Sequence, residues 1–319
     1  MPPLVSIIVP CYNGARYLER LVNSLRPMLS SKVEIIFADD GSTDGSLELV
    51  EKLMPSAVCL RQDNGGPGAA RNRGVEAARG EFVQLLDVDD TMECGKMEAQ
   101  LEFARSKGVD VVYSDWRMVV VDGNCERCEE WVHAEAPTEI VQALLAGWWF
   151  PPVAALVRKS AILAVGGCDE TLRNTCDDFD LWVRLGIAGF GYGYLPGRYA
   201  NYYRYLHVRS ESRKNRREFC EGEARVILKA IRLLEARGES TLRRRGAAAR
   251  RLHAVARNVH SIDEGWYRRL IQQVFDLDPD FRPTGTLGYC VVARVLGLEK
   301  AEKLAAWRRK FLLRQAATV

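Results

Sequence analysis

An open α/β sheet, mostly parallel and flanked by helices, is the fold class predicted for the first two thirds of this 319-residue chain. Three observations carry the prediction. Short β-branched runs alternate with stretches of helical periodicity, the pattern of successive β–α–β units. The strand-like runs are continuously apolar, as strands covered on both faces are. They end in polar, acidic or glycine-rich turns, and an open sheet binds its ligands beyond the carboxyl ends of its strands.

The first strand is Val5-Ser6-Ile7-Ile8-Val9, stopped by Pro10. Asn13-Gly14 turns the chain, and Tyr17, Leu18, Leu21, Val22 and Leu25 then recur at helical spacing. A second strand, Val33 to Ala38, ends in Asp39-Asp40-Gly41-Ser42. Ser42 or Thr43 is expected to cap a helix bearing Leu47, Leu49, Val50 and Leu53. Ala57 to Arg61 reads as a third strand, followed by Asn64-Gly65-Gly66-Pro67-Gly68 and a helix from about Ala69 to Arg79. A fourth strand, Phe82 to Leu86, runs into Asp87-Val88-Asp89-Asp90, and the alternation continues to roughly Leu195.

From about Arg216 the pattern is helical only. Phe219, Val226, Ile227, Ile231 and Leu234 share one face, and Leu252, Val255, Ala256 and Val259 share another. A last amphipathic helix is expected from Lys300 to Arg314. The predicted division is an α/β domain over 1–212 and a basic helical region over 213–319. Charge follows it: the second region holds 24 Lys+Arg against 12 Asp+Glu, leaving 45 − 24 = 21 basic and 42 − 12 = 30 acidic residues in the first. A basic tail of this kind is a packing element, a homodimer contact, or a shelf against anionic lipid. Its arginines lack interleaved aromatics and the body is acidic, so nucleic acid is not expected as a partner.

No run reaches the 18 or so apolar residues of a membrane span, and Met1-Pro2-Pro3 lacks the basic start of a signal peptide. The expected location is cytoplasmic, with peripheral attachment at the inner face of the cell membrane as the variant. The nine cysteines read as reduced thiols, and the lone pair Cys125/Cys128 lacks the second pair of a zinc site.

Three carboxylates within four residues at a strand end repel one another, so a cation is expected among them. Oxygen ligands suit Mg²⁺ or Mn²⁺, and a solvated helix-capping turn is the alternative. Tyr12 beside Asp40 suits a stacked base whose imide N–H the carboxylate accepts, as uracil offers. Taken singly, each fits an ordinary turn as well. Arg71 near a helix N-terminus favours an anion such as pyrophosphate, or else faces solvent. Trp148-Trp149-Phe150-Pro151-Pro152 reads as core aromatics or as a sugar platform, with at least one tryptophan, taken as Trp148, at the acceptor.

Four motifs then stand together in order. Val5 to Asn13, Ala38-Asp39-Asp40-Gly41-Ser42-Thr43-Asp44, Asn64-Gly65-Gly66 with Ala69 to Gly74, and Leu86-Asp87-Val88-Asp89-Asp90 resemble the inverting family 2 glycosyltransferases of the GT-A fold. Gly166-Gly167-Cys168-Asp169-Glu170 and Asp177-Asp178-Phe179-Asp180-Leu181-Trp182 extend the resemblance, which covers about Leu4 to Ser212. It implies a nucleotide site of Pro10, Tyr12, Asn13, Asp40, Arg71 and Asp87. It implies metal ligation by Asp89 and Asp87, with His207 as a further candidate that reads equally well as a loop residue. Asp178 is implied as the general base, with Asp177 and Trp182 on the acceptor side. Asp177, Cys94 and Cys168 depart from the family's usual Glu, Pro and Phe, and none removes a needed functional group.

The function so implied is transfer of a sugar from a nucleotide donor, a UDP-sugar first, to a hydroxyl of a glycan or lipid-linked saccharide in cell-surface polysaccharide synthesis. The alternatives are an inactive nucleotide-sugar-binding scaffold and a sugar nucleotidyltransferase. The latter normally carries a basic glycine-rich loop after its first strand, where this chain has Pro10-Cys11-Tyr12-Asn13.

Overall fold

The computed structural model describes residues 3–123, 125–173, 175–206 and 216–305. It divides into two compact units, one of Met1–Ile140 with Trp149–Phe219 and one of Val141–Trp148 with Cys220–Val319.

The first unit is built on a nine-stranded sheet. Strands β1 (Val5–Cys11), β2 (Val33–Asp39), β3 (Val58–Arg61) and β4 (Phe82–Leu85) form its parallel half in the order β3-β2-β1-β4. Every residue of β1 is buried, which is why Val5, Ile7, Ile8 and Val9 show no polar alternation. Beyond β4 the sheet continues through β8 (Ala155–Arg158), β6 (Val111–Asp122), β9 (Tyr192–Tyr205) and β5 (Thr91–Met92), with β7 (Cys125–Val132) hairpinned onto β6. β8 joins β4 and β6 antiparallel, whereas β6 and β9 run parallel.

Helices α1 (Ala15–Leu25), α2 (Ser46–Leu53) and α3 (Pro67–Ala77) are the crossovers of the parallel half. α1 buries Leu18, Leu21, Val22 and Leu25, the expected stripe. α3 starts at Pro67 rather than Ala69, because proline tolerates the first helical position where no N–H is needed. α2 starts only at Ser46, so neither Ser42 nor Thr43 caps it. Both are engaged elsewhere: the Asn13 amide donates to Ser42 Oγ at 2.9 Å, and the Thr43 amide donates to Asn13 Oδ1 at 2.9 Å. Gly74 in α3 lies where a Cβ would collide with the Ile8 side chain, so α3 packs against β1 without a spacer.

A polar knot sits inside this core. Lys96, at the start of α4 (Lys96–Lys107), is fully buried and donates to Gln84 of β4 and Gln100 of its own helix. The two glutamine amides donate onward to the carbonyls of Pro152 at 3.1 Å and Ala154 at 2.9 Å. The segment after Trp149 is thereby fixed to the central strands. α5 (Ile140–Leu145) and α6 (Lys159–Ala164) precede and follow β8, and α7 (Asp177–Ile187) precedes β9.

The second unit is helical: α8 (Arg216–Ala236), α9 (Leu242–Val259), α10 (Glu264–Leu277) and α11 (Leu287–Leu296). Val226, Ile227, Ile231 and Leu234 are buried on α8, and Leu252, Val255, Ala256 and Val259 on α9, at the spacings read from sequence. Asp263 caps α10, its Oδ1 accepting from the Trp266 amide at 2.8 Å. His253 is buried, with Nε2 3.1 Å from the Tyr289 hydroxyl. The helix predicted from Lys300 is present over 298–305, and its remainder lies outside the described residues.

Candidate active site

Adjacent parallel strands bring the first two motifs together. Cys11 is in register with Asp39, and the Asp40 amide donates to the Cys11 carbonyl at 2.8 Å. Asp40 is buried; Oδ1 accepts from Gln62 Nε2 and the Gly65 amide, and Oδ2 from the Gly66 amide, all at 2.8 Å. Its first task is therefore to hold the glycine-rich turn that leads into α3. Asn13 has a left-handed backbone (φ 50°) and spends its side chain on the Thr43 amide. Pro10 is buried in β1, while Tyr12, just beyond it, is 52% exposed with its ring open to a flat partner.

The acidic run emerges from β4 as expected, and what meets it is Arg71. This residue is buried on α3 rather than facing solvent, and its two terminal nitrogens pair with Asp87 and Asp177. Burial works against the charge, but the carboxylates of Asp177 and Asp87 hold the guanidinium firmly protonated. Arg71 thus joins the end of β4 to the start of α7. Its fork is already engaged by protein carboxylates, and the same embrace places Asp177 inside the site wall rather than on an open acceptor face.

Among the described residues, neither Asp89 nor Asp90 has an ion-pair partner of this kind. Burial and the adjacent Asp87 push the Asp89 carboxyl up to about 7. Asp90 accepts the Tyr203 amide at 2.9 Å through Oδ1, while its buried Oδ2 has no hydrogen-bond partner. Arg20 holds this turn by its backbone: Nη2 donates to the Asp89 carbonyl at 3.0 Å, and the guanidinium lies 3.7 Å over the Tyr203 ring. Buried carboxylates crowded at one strand end form a hard, all-oxygen donor set, which fits a divalent cation. Among the described residues no three His, Cys, Asp or Glu converge to form a protein-only cage. Mg²⁺ and Mn²⁺ sites of the kind that use one or two carboxylates plus phosphate oxygens need none.

Asp178 stands one residue into α7. Its Oδ1 accepts from the Phe179 amide at 2.8 Å and its Oδ2 from the Trp149 indole N–H at 3.1 Å. Burial, then the neighbouring Asp177 charge, push the Asp178 carboxyl up to about 6. Trp149 meets Trp116 and Tyr202 edge to face, with centroids at 6.3 and 5.9 Å.

Of the tryptophans expected at the acceptor, Trp182 is corrected. It has no exposed surface and packs on Phe150 with centroids 5.0 Å apart, because α7 turns that face into the core. Trp148 is half-buried and belongs to the second unit. Trp149 is the member that reaches the acidic centre, and its position in the Trp-Trp-Phe-Pro-Pro run was the available signal. Arg20 escaped the reading because its spacing on α1 is that of an ordinary surface arginine. His207 lies outside the described residues.

The description of "Glycosyl transferase family 2" matches residues 6–135. That stretch is similar to family 2 glycosyltransferases. An uncharacterized glycosyltransferase of Nostoc sp. is 32% identical to the chain over 169 residues, covering 50% of this chain and 52% of the relative. The putative teichuronic acid biosynthesis glycosyltransferase TuaG of Bacillus subtilis is 34% identical over 136 residues, 41% of this chain and 53% of TuaG. The chain spans about half the length of these curated relatives. The crystal structure of S. aureus TarS 1-349 superposes with a TM-score of 0.64 at 20% identity, covering 97% of this chain and 92% of TarS. The same protein in complex with UDP-GlcNAc superposes with a TM-score of 0.58 at 17% identity, with the same coverage. The fold that contains this stretch is the GT-A fold.

Proposed function

We propose that the protein is an inverting glycosyltransferase that moves a sugar from a UDP-sugar to a hydroxyl of a growing surface polysaccharide or lipid-linked saccharide. The observation that carries this reading is the placement of Asp178. It belongs to the same carboxylate–Arg71 assembly as Asp87, so a base and a donor-side carboxylate share one centre.

Tyr12 stacks the base, and the free lone pair of Asp40 Oδ2 accepts the imide N–H. Asp87 and Asp89 would hold Mg²⁺ or Mn²⁺, which when bound supplies a positive charge that offsets the charge developing on the departing diphosphate. Asp178 takes the proton from the acceptor hydroxyl as its oxygen bonds to the anomeric carbon, opposite the leaving diphosphate, so the configuration inverts. A carboxyl near 6 is ionised at neutral pH yet more basic than an ordinary aspartate, as this role requires. Support for the UDP-sugar comes from TarS, solved with UDP-GlcNAc, and for polysaccharide synthesis from the name of TuaG.

The test is thermal denaturation with UDP, GDP, CDP and dTDP, each with Mn²⁺, Mg²⁺ or chelator, followed by turnover of UDP-sugars. A metal-dependent rise in melting temperature selective for UDP is the expected result. Asp178→Asn should keep that rise and lose turnover. An inactive scaffold would show the rise and no turnover in the native chain. A nucleotidyltransferase would make a sugar nucleotide from a sugar phosphate.

The division at 212/213 is retained as a proposal, with the helical region serving as a peripheral shelf on an anionic membrane surface. α11 favours this: Leu287, Val291 and Val295, spaced four residues apart, are 82%, 52% and 72% exposed, and Arg294 is the only charged residue of that helix. No helix of the described residues is long and apolar enough to cross a membrane. Cosedimentation with phosphatidylserine vesicles at low salt, lost in Val291→Glu, is expected. A concentration-dependent dimer abolished by the same change would assign the face to a second copy instead.

A further inference from the structure

Trp149 is the group that the sugar-transfer scheme leaves without a task, yet it touches the base directly. Its indole nitrogen is 3.1 Å from Asp178 Oδ2, while Oδ1 is held by the Phe179 amide. Both carboxylate oxygens are thereby fixed, and the carboxyl plane with them. An indole N–H only donates, so it never competes for the proton that Asp178 is to receive. The ring cannot swing freely either: Trp116, itself buried, and Tyr202 meet it edge to face. The chain that follows it is anchored through the carbonyls of Pro152 and Ala154 to Gln84 and Gln100, and through them to Lys96.

We infer that Trp149 is the positioning residue of the catalytic base: its indole N–H fixes the Asp178 carboxylate so that the unused lone pairs of the two oxygens face the acceptor hydroxyl. This rests on the assignment of Asp178 as base. The geometry is that of a third group orienting a base, as in other acid–base centres, with an indole in place of a carboxylate. No bond to Trp149 forms or breaks. The hydrogen bond persists while the proton passes from the acceptor oxygen to Asp178.

The deciding measurement compares the native enzyme with Trp149→Phe, and with the protein carrying benzothienylalanine at 149, which keeps the bicyclic shape and replaces the N–H by sulfur. Steady-state kinetics of sugar transfer are read with the pH profile of kcat/KM and the UDP-induced melting shift. The expected result is a kcat lowered 10- to 100-fold in both variants. KM for the nucleotide sugar and the UDP shift should stay within two-fold, and the acidic limb of the profile should move to higher pH, since a donor to the charged form is gone. A kcat within two-fold of native for the benzothienyl protein, with an unmoved limb, would overturn the inference whatever Trp149→Phe does to folding. Asp178→Asn separates this failure from that of the parent reading. If Asp178→Asn retains turnover, the base assignment falls and the role of Trp149 with it. If it is inactive and the isostere is native-like, only the role of Trp149 falls.

Discussion

Arg71 and Asp177, 106 positions apart in the chain, form a buried ion pair that locks the third helix to the start of the seventh. Because the other arm of Arg71 holds Asp87, one guanidinium neutralises two carboxylates, that of Asp177 buried and that of Asp87 partly exposed. Arg71→Met should therefore cost about 3–5 kcal/mol, the penalty for stranding a buried charge. Chemical denaturation would read this as a lower midpoint. Asp177→Asn in the same background should recover part of the loss by removing one stranded charge, and absence of any recovery would break the argument.

Sugar transfer should be lost in acid with a midpoint near the Asp178 value of about 6. The sign is fixed by the chemistry: a base raised above its ordinary value is protonated, and idle, below that point. kcat/KM should rise about tenfold per pH unit up to that value and then level. Removing the like charge by Asp177→Asn should move the midpoint down. A flat profile between pH 5 and 8 would exclude Asp178 as the titrating group.

Close approach of the chain to β1 makes its own prediction. Gly74→Ala drives a methyl group into Ile8, and Gly80→Ala places one 2.6 Å from the Ser6 amide nitrogen. Each should destabilise by about 1–3 kcal/mol through overpacking, visible as an earlier thermal transition without loss of the folded circular dichroism spectrum. Gly95→Ala meets no atom within 4 Å, but its left-handed backbone (φ 84°) makes the cost one of strain alone, of about 1–2 kcal/mol.

The helical unit should carry an acid sensitivity of its own. Burial lowers His253 from 6.5 to about 4, so the unfolded chain binds its proton more readily than the folded one. Stability from this residue is complete above about 6.5 and is lost as pH falls toward 4. His253→Phe should flatten that part of the stability–pH curve. An unchanged slope would place the titration elsewhere.

Much of this architecture was legible because its signals are local. The β-branched runs, the glycines after β3 and the acidic run after β4 report strands, a tight turn and a strand end within a few residues each. The helical faces of α1, α8 and α9 followed from periodicity alone. Less was legible where a residue's role depends on something distant. Asn13 and Ser42 have the composition of turn and cap, and only the folded chain reveals that the Asn13 amide donates to the Ser42 hydroxyl while the Asn13 side chain takes the Thr43 amide. Arg71 reads as an anion ligand until the structure brings Asp177 to it. Trp148, Trp149 and Trp182 are chemically alike; the elements that surround each ring, not its identity, separate a core ring from one that meets a carboxylate.

The order of strands also separates the two sides of the candidate site. The residues proposed to face the nucleotide come from the stretch that runs from β1 to just past β4, whereas Asp178 and Trp149 are delivered by segments that join through antiparallel neighbours on the far side of β4. The two halves meet at Arg71, and also where Gln84 reaches the Pro152 carbonyl, where Asp90 accepts the Tyr203 amide and where Asn72 bonds Cys168. If that proposal holds, a change of acceptor is to be sought in the far half, with the carboxylate that reaches Arg71 kept.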